Sequence, residues 1–251
     1  MGHVIFIGAG PGAADLITVR GAQRLKLADV VLFDALTDPA LRTLAPQARW
    51  VNVGKRGFAD STGQSTINAL LVKHAREANV VVRLKGGDPS VFGRLEEELE
   101  ALAAAGIACE VVPGVTAAIA AAASTLRPLT RRGSGRSVSL TTAMTREGAL
   151  NATRTADTEV FYMAGKQLAA LSRRLIAAGW PADTPASVVS RAGWPDQLQS
   201  DHRVEALRDA TVLHAGRPTV VTVGAGAAPL TEINPLQPAA SLRFGTTATK
   251  P

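Results

Sequence analysis

A glycine-rich turn follows the first predicted strand of the chain. Residues Val4 to Ile7 form a short apolar run, and Gly8-Ala9-Gly10-Pro11-Gly12 comes directly at its end. Backbone N–H groups in such a strand-to-helix turn can bind a phosphate or a carboxylate. The turn differs from the dinucleotide-binding G-x-G-x-x-G motif, and Pro11 removes one donor. The sequence leaves two interpretations open, an anion-binding loop and a simple tight turn.

Two acidic residues stand at the ends of other predicted strands. Asp34 ends the run VVLFD, where its carboxylate can contact a ligand or cap the following turn. Asp88 belongs to the turn Gly86-Gly87-Asp88-Pro89, whose glycines permit close approach of a ligand to the backbone. Its carboxylate can accept hydrogen bonds from a ribose or an amino group, or can serve only to close the turn. Both residues are candidates for ligand binding.

Basic residues follow two predicted strands. Lys55 and Arg56 come after the run RWVNVG, and Arg94 comes after the Gly-Gly-Asp-Pro turn and just before the acidic run EEELE. Such side chains can pair with a carboxylate or a phosphate, or they can be ordinary surface charges. The acidic run is expected in the first turns of a helix, where the helix dipole favours negative charge.

These turns share one position relative to the predicted secondary structure. Short apolar runs alternate with helix-like segments, a pattern typical of a largely parallel sheet covered by helices on both faces. The carboxyl ends of parallel strands meet at one edge of the sheet, where such folds bind ligands. A further turn, Pro113 to Ala117, follows another predicted strand. Together the turns predict a crevice for a sizeable polar ligand.

Two helices and one domain boundary can be placed within this pattern. Apolar residues at positions 16, 19, 22, 25 and 28 have helical spacing, and a second helix is expected to open at a capping Ser65. The segment 129–137 is rich in Gly, Ser and Arg and breaks the alternation, and a second α/β pattern follows. We predict an N-terminal α/β domain over residues 1–131, a C-terminal α/β domain over 132–233 and a flexible tail over 234–251.

The positive charge of the chain is concentrated in one segment. The 251 residues include 27 basic and 21 acidic side chains, a net charge of +6, and positions 127–154 contain six arginines and one acid. This segment is either a solvated linker or an electrostatic attraction for an acidic ligand. A nucleic acid is disfavoured, because aromatic residues are 4% of the chain and none interleaves with these arginines.

The residue counts and spacings disfavour several protein classes. The single cysteine, Cys109, is incompatible with a disulfide framework, and we expect it in the core. The four histidines lack metal-ligand spacing, and neither a G-x-S-x-G elbow nor a Walker A motif occurs. The N-terminal apolar run is too short for a signal peptide, and no apolar run reaches about 18 residues. We expect a cytoplasmic protein without a bound metal, a membrane span or a nucleic-acid partner.

Six segments match a known family. They are VIFIGAGPGAADLITVRGAQRLKLADVVLFDAL, VGKRG, VVRLKGGDPSVFGR, EVVPGVTAA, RPLTRR and VFYMAG. In this order they resemble the tetrapyrrole methylase family over positions 4–226, and the second and third segments are most similar to the branch that methylates uroporphyrinogen III. The resemblance implies two α/β domains with a ligand cleft between them, and a homodimer.

The resemblance also implies an activity and a cofactor site. The activity is C-methylation of uroporphyrinogen III at C2 and C7, which gives precorrin-2 for cobalamin and sirohaem biosynthesis. S-adenosylmethionine is the expected methyl donor, S-adenosylhomocysteine is the product, and no metal is expected. The residues that match the family's cofactor contacts are Pro11, Gly86, Gly87, Asp88, Val91, Thr116, Ala117, Met163 and Ala192.

Catalytic and substrate-binding roles follow from the same resemblance. Asp34 matches the proton acceptor and Lys55 the proposed proton donor, while Arg94 is a further candidate for assisting proton loss. Arg94 and Glu97 match polar residues at the substrate end of the cleft. The tetrapyrrole substrate is acidic, so Arg131 and Arg132 are expected to pair with its carboxylates.

Three departures from the family pattern lie on the presumed substrate side. Ala35 stands where the family commonly has Arg, and Leu95-Glu96 stands where it commonly has Gly-Gly. Arg127 and Arg131 replace the Ile and the His of the I-P-L-T-H-R segment. Two alternatives therefore stay open: a methyltransferase that acts on a later precorrin, and a degenerate paralogue that binds a tetrapyrrole without turnover.

Overall fold

The computed structural model describes residues 2–54, 63–143, 150, 152 and 154–230. Its first part contains five strands and four α-helices. The strands are β1 (His3–Gly8), β2 (Val30–Phe33), β3 (Arg49–Asn52), β4 (Val80–Lys85) and β5 (Cys109–Val112). The helices are α1 (Val19–Leu25), α2 (Gln64–Glu77), α3 (Leu95–Ala104) and α4 (Ala117–Ser124). Short 3-10 helices span Ala14–Leu16 and Pro39–Leu44.

The first sheet is parallel throughout, with the strand order β3-β2-β4-β1-β5. Side chains of β1 alternate between two buried clusters, because successive residues of a strand point to opposite faces. Ile5 and Ile7 pack with Leu25 of α1, whereas Val4 and Phe6 pack in the cluster that contains α2 and α3. The predicted parallel sheet with helices on both faces is confirmed.

The second part contains a mixed five-stranded sheet, β6-β7-β10-β8-β9. Its strands are β6 (Val138–Thr142), β7 (Thr158–Tyr162), β8 (Pro185–Ser190), β9 (Leu198–Arg203) and β10 (Thr219–Gly224). The helix α5 (Leu168–Ala177) and the 3-10 helices Val204–Ala210 and Ala225–Ala227 complete it. Only β6 and β7 pair in parallel; the other neighbours are antiparallel.

The edge strand β9 was missed by the sequence prediction. Its sequence LQSDHR is polar, and its residues alternate between partly buried and exposed. An edge strand with one solvated face needs little apolar surface, so it lacks the continuous apolar run that marked the other strands.

Helix α4 follows the first sheet in the chain but packs on the second. Ala118 lies in a cluster with Val160 of β7 and Val220 of β10, and Ala120 packs with Val189 of β8. The two sheets are therefore joined by this alanine-rich helix. The boundary predicted after residue 131 stays a prediction, and positions 234–251 lie outside the described residues.

The first two helices begin at other residues than the sequence indicated. α1 starts only at Val19, which is 76% exposed, after an N-cap Thr18 whose Oγ1 accepts a hydrogen bond from the Gly21 N–H at 3.0 Å. α2 has Gly63 rather than Ser65 at its N-cap. Apolar spacing predicts the middle of a helix better than its ends, which depend on local backbone caps.

Cys109 is exposed, which contradicts the expectation of a core residue. It belongs to β5, the edge strand of the first sheet, where Cys109 and Val111 both lie on the exposed face. An apolar run in the sequence does not reveal whether its strand is central or at an edge.

Across the described residues, no helix combines the length and apolarity that crossing a membrane requires.

Three glycines bring the ends of β1, β4 and β5 into backbone contact. A Cβ atom at Gly8 would lie 2.5 Å from the Cα of Gly114, and one at Gly114 would overlap the carbonyl oxygen of Gly87. Atoms that close repel strongly, so any larger residue must push the turns apart. Gly8 and Gly114 are thus required by the close approach of three turns, to which Gly87 contributes its carbonyl oxygen.

We expect Gly114→Ala to destabilise the protein by about 2 kcal/mol or more, because the added methyl group overpacks this contact. Urea unfolding monitored by circular dichroism measures the change. Gly63→Ala is the control, since a Cβ there meets nothing nearer than 3.6 Å and its φ of −59° suits any residue, and it should change the free energy of unfolding by no more than about 1 kcal/mol. Equal effects of the two substitutions would contradict the packing described.

Candidate active site between the two sheets

Hydrogen bonds join the turns at the carboxyl edge of the first sheet. Gly10 and Gly87 exchange two backbone hydrogen bonds, from Gly87 N to Gly10 O at 2.7 Å and from Gly10 N to Gly87 O at 3.2 Å. Asp88 accepts at Oδ2 from the N–H of Gly114 at 2.8 Å and at Oδ1 from the N–H of Ser90 at 2.8 Å. The turns at this edge are therefore bonded to one another, and Asp88 connects two of them.

The second sheet contributes a loop that closes on the first glycine-rich turn. The N–H of Ala13 donates to the carbonyl of Gly193 at 2.9 Å, and Trp194 Nε1 donates to the carbonyl of Pro11 at 3.0 Å. Ala192, which is buried, precedes these residues at the end of β8. The predicted cofactor residues Pro11 and Ala192 are thus brought to adjoining loops.

Tyr162 joins the end of β7 to the start of α4. Its hydroxyl shares a hydrogen bond with that of Thr116 at 2.7 Å and accepts another from the N–H of Ala118 at 3.2 Å. Its ring lies 5.0 Å from that of Phe92, in the turn that follows Gly86-Gly87. Burial raises the pKa of Tyr162. The next residue, Met163, is half exposed.

Four residues around these loops have left-handed backbone conformations without being glycine. They are Phe92 and Arg94 (both φ 53°), Met163 (φ 59°) and Arg191 (φ 52°). Such conformations are costly for side-chain-bearing residues, and they cluster at sites where the backbone must present a side chain in one direction. Val91 lies in the same turn as Phe92 and Arg94, and Ala117 begins α4 directly after Thr116.

Asp34 lies at the end of β2 beside the central strand β4. Its Oδ1 accepts a hydrogen bond from Arg83 Nη2 at 2.7 Å, and 29% of its side chain remains exposed. Arg83 and Lys85 are buried in β4, and the fully buried Glu98 of α3 pairs with both. The sequence analysis did not identify this group of three charged residues. The segment VVVRLK indicated two of them, because basic residues inside an otherwise apolar strand require charged partners when buried.

Arg94 and Glu97 form a bidentate ion pair near the surface. Arg94 Nε and Nη2 each lie 2.7 Å from an oxygen of Glu97. The hydrogen bond to Glu97 raises the pKa of Arg94, so the guanidinium stays charged. An exposed pair of this kind adds little stability, about 0–1 kcal/mol, and both side chains stay accessible to a ligand.

Arg131 lies away from the other predicted site residues. Its guanidinium donates to the carbonyl of Ala228 and lines a cavity with Asp157 and Gly224, at the end of the second sheet where β7 begins. Met163 follows the other end of β7, five residues or roughly 17 Å along the strand. The next residue, Arg132, is exposed. Lys55 lies outside the described residues.

One departure from the family pattern has a structural role. Arg127 is buried, and its guanidinium forms a bidentate ion pair with Asp201 of β9, with Nη2 2.6 Å from Oδ2. The hydrogen bond from Arg127 lowers the pKa of Asp201. Arg127 therefore ties the segment after α4 to the edge strand, and its charge is already compensated within the chain.

The candidate site is built mainly from backbone groups of loops. No group of three His, Cys, Asp or Glu side chains that could hold a metal occurs in the part of the chain that the structure describes. A Cβ at Gly87 would make only ordinary van der Waals contacts, the nearest at 3.9 Å to the Cα of Thr116, so this turn has room for a small group. The loops can hold a polar ligand against backbone groups, with Asp34 at one side.

Comparisons with known proteins agree with this geometry. Residues 3–208 match the family model described as Tetrapyrrole (Corrin/Porphyrin) Methylases. Over 228 residues the chain is 41% identical to the uroporphyrinogen-III C-methyltransferase of Pseudomonas aeruginosa, covering 89% of this chain and 93% of that relative. The structure of a Thermus thermophilus uroporphyrin-III C-methyl transferase complexed with S-adenyl homocysteine matches with a TM-score of 0.77 and 35% identity, over 89% of this chain and 97% of that one.

Two further similarities bear on the function. The structure of a cobalt precorrin-4 methyltransferase matches with a TM-score of 0.79 and 30% identity, over 90% of this chain and 96% of that one. The chain spans about half the length of the siroheme synthases that it matches, 50% of the one from Baumannia cicadellinicola at 41% identity.

We expect Tyr162 to lose its proton at a higher pH in the native protein than in the unfolded chain, because burial disfavours the phenolate. It is the single tyrosine of the sequence, so absorbance at 295 nm follows this residue alone, and Tyr162→Phe supplies the blank. The neutral hydroxyl of Tyr162 should contribute to folding stability below about pH 10, the pKa of an unfolded tyrosine. This contribution should be lost as the pH rises through the higher native pKa. A native midpoint equal to that in denaturant would contradict the buried contact.

Acid should weaken the ion pair between Arg127 and Asp201. The pKa of Asp201 is lowered in the folded protein, so its contribution is present above the ordinary aspartate pKa of about 3.9 and lost as pH falls below it. Asp201→Asn should lower the free energy of unfolding at pH 7 by about 1–3 kcal/mol and flatten its decline in acid. Urea unfolding at several pH values measures both, and an equally steep acid decline in the variant would count against the pair.

Proposed function

Because the chain belongs to the tetrapyrrole (corrin/porphyrin) methylase family, we propose that it methylates uroporphyrinogen III at C2 and C7, using S-adenosylmethionine. The products are precorrin-2 and S-adenosylhomocysteine. The observation that best supports the proposal is a set of hydrogen bonds that join the three glycine-rich turns to the loops after β7 and β8. These turns and loops contain the positions that match the family's cofactor contacts. The near full-length similarity to the Pseudomonas aeruginosa enzyme supports the acceptor.

The cofactor residues are proposed to bind S-adenosylmethionine in the cleft between the sheets. Backbone groups of the turns, the room for a small group at Gly87 and the half-exposed Met163 suit a folded, polar ligand with an apolar part. When bound, S-adenosylmethionine supplies a methyl group on a positively charged sulfur, which needs positioning more than activation. Pro11, Gly86, Val91, Thr116, Ala117 and Ala192 are proposed to line its site, and Asp88 to hold two of the turns together.

Asp34 is proposed to accept the proton that the tetrapyrrole ring system loses after methylation. Its carboxylate is partly exposed beside the cleft and is held by Arg83. Arg94 is a poor acceptor, because an arginine stays protonated in proteins and Glu97 stabilises its charge. We assign Arg94 and Glu97 to binding of the acidic substrate, and Lys55 keeps its proposed role as proton donor.

Other assignments receive less support from the geometry. Arg131 and Arg132 were expected to bind substrate carboxylates, but Arg131 lies at the far end of the second sheet from Met163. The homodimer, the cytoplasmic location, and the absence of nucleic-acid and membrane partners remain predictions.

A later precorrin is the second candidate acceptor. The similarity to a cobalt precorrin-4 methyltransferase favours it, as do Ala35 and the pair Leu95-Glu96, which differ from the common family pattern on the presumed substrate side. Ala35 packs beside Gly54, where a Cβ would lie 2.9 Å from the Cα of Ala35. A change of side chain there alters the wall next to Asp34.

We expect the purified protein to add two methyl groups to uroporphyrinogen III under anaerobic conditions, with S-adenosylmethionine as donor. Mass spectrometry of the tetrapyrrole and chromatography of S-adenosylhomocysteine measure the product and its stoichiometry. Asp34→Asn should lower kcat roughly 100-fold or more, the usual effect of removing a proton acceptor, while the dissociation constant for S-adenosylmethionine in calorimetry stays unchanged.

The outcomes separate the candidates. Binding of S-adenosylmethionine without methylation of uroporphyrinogen III, combined with methylation of a later precorrin, would transfer the proposal to that acceptor. Binding of uroporphyrinogen III without turnover of any precorrin would indicate the degenerate paralogue. Absence of binding by both ligands would overturn the proposed function.

A further inference from the structure

A group of four charged residues, three of them buried, extends from the candidate site into the core. This ion cluster consists of Asp34 at the end of β2, Arg83 and Lys85 in β4, and Glu98 in α3. Arg83 Nη2 lies 2.7 Å from Asp34 Oδ1, Arg83 Nε lies 3.2 Å from Glu98 Oε1, and Lys85 Nζ lies 2.8 Å from Glu98 Oε2. Two carboxylates and two cations balance the charge of the cluster.

Glu98 is the centre of the ion cluster. Its side chain is fully buried, and it accepts hydrogen bonds from Arg83, from Lys85 and from Gln64 Nε2 at 3.1 Å, at the start of α2. One carboxylate therefore connects the central strand with two helices. Arg83 is held at its Nε by Glu98 and presents its Nη2 to Asp34.

Filling this space with charged residues is energetically unfavourable. Removing each charge from water costs several kcal/mol, and apolar residues of similar volume are often as stabilising as a buried ion pair. Burial and the neighbouring charge of Arg83 lower the pKa of Lys85, which is the expected consequence of this desolvation. Stability alone does not account for the cluster, so a role in orienting an accessible group is the better explanation.

Asp34 is the accessible end of the ion cluster. Its side chain is 29% exposed, whereas the side chains of the other three members are at most 3% exposed. A guanidinium fixed at two sides holds a carboxylate in one orientation better than a free one. Lys85 also lies under the turn that bears Val91 and Arg94, since a Cβ at Gly93 would be 3.1 Å from Lys85 Cε.

We propose that Glu98 is a positioning residue for methyl transfer, which acts through Arg83 to hold the Asp34 carboxylate in its reactive orientation. The inference rests on the proposed function, in which Asp34 accepts the departing proton. Glu98 itself is buried and touches neither substrate nor cofactor. A displacement of about 1 Å in a reacting group can lower a rate by up to 100-fold, so Glu98 can influence turnover from behind the site.

The test is a double-mutant cycle on the full chain, with kcat expressed per site that binds S-adenosylmethionine in calorimetry. Glu98→Gln should lower this kcat about 10- to 100-fold and leave the dissociation constant for S-adenosylmethionine within about twofold. In the Asp34→Asn background the same change should lower kcat less than about twofold, because residues that act through one another are non-additive. Glu100→Gln, an exposed glutamate on the same helix, is the matched control and should resemble the wild type.

A second variant covers the case in which Glu98→Gln does not fold. Glu98→Asp keeps the charge balance of the ion cluster but withdraws the carboxylate from Arg83, and it should lower kcat only in the presence of Asp34. Unchanged kcat in the folded variants, or an equal loss in both backgrounds, would overturn the inference while methylation by the wild type leaves the proposed function intact. Wild-type activity in Asp34→Asn would overturn the role of Asp34 and this inference together. Failure of the wild type to methylate would instead overturn the proposed function.

Discussion

Three backbone turns pack closely at the carboxyl edge of the first sheet, and this contact places the other parts of the candidate site. Gly8 and Gly114 leave no room for a Cβ atom where the ends of β1 and β5 meet the carbonyl oxygen of Gly87 after β4. With the turns packed together, Asp88 can bridge two of them, and Gly10 can pair with Gly87. The edge of a parallel sheet thereby becomes a rigid surface instead of a set of independent loops.

The second sheet completes this surface because its loops are bonded to those of the first. Tyr162 reaches Thr116 and α4, while Trp194 reaches Pro11. Helix α4 starts at the turn after β5 and packs on the second sheet, so the same segment forms part of the site and part of the joint. A ligand held between the sheets would contact elements that are already ordered relative to each other, and little conformational entropy would be lost on binding.

The ion pairs of the protein differ in their exposure to water. Near the surface, Arg94 and Glu97 form an accessible pair that a ligand can rearrange at small cost. Behind Asp34, the cations of β4 are sealed from water and fixed by Glu98. Arg127 and Asp201 show a third arrangement, in which the ion pair joins the segment after α4 to an edge strand. Among the site's carboxylates, Asp34 alone combines partial exposure with an anchored partner inside the core.

The amino-acid pattern was enough to predict the parallel sheet and the glycine-rich turns at its strand ends. Apolar runs and glycine-rich turns are local signals, and the carboxyl ends of parallel strands necessarily share an edge. The packing of the folded chain was needed to show that Asp88 binds backbone, that Arg131 lies far from Met163, that Cys109 faces outward and that Glu98 is the buried member of its acidic run. These outcomes depend on which strand is at an edge and which helix face is covered, and such relations join residues far apart in the chain, so no local pattern encodes them.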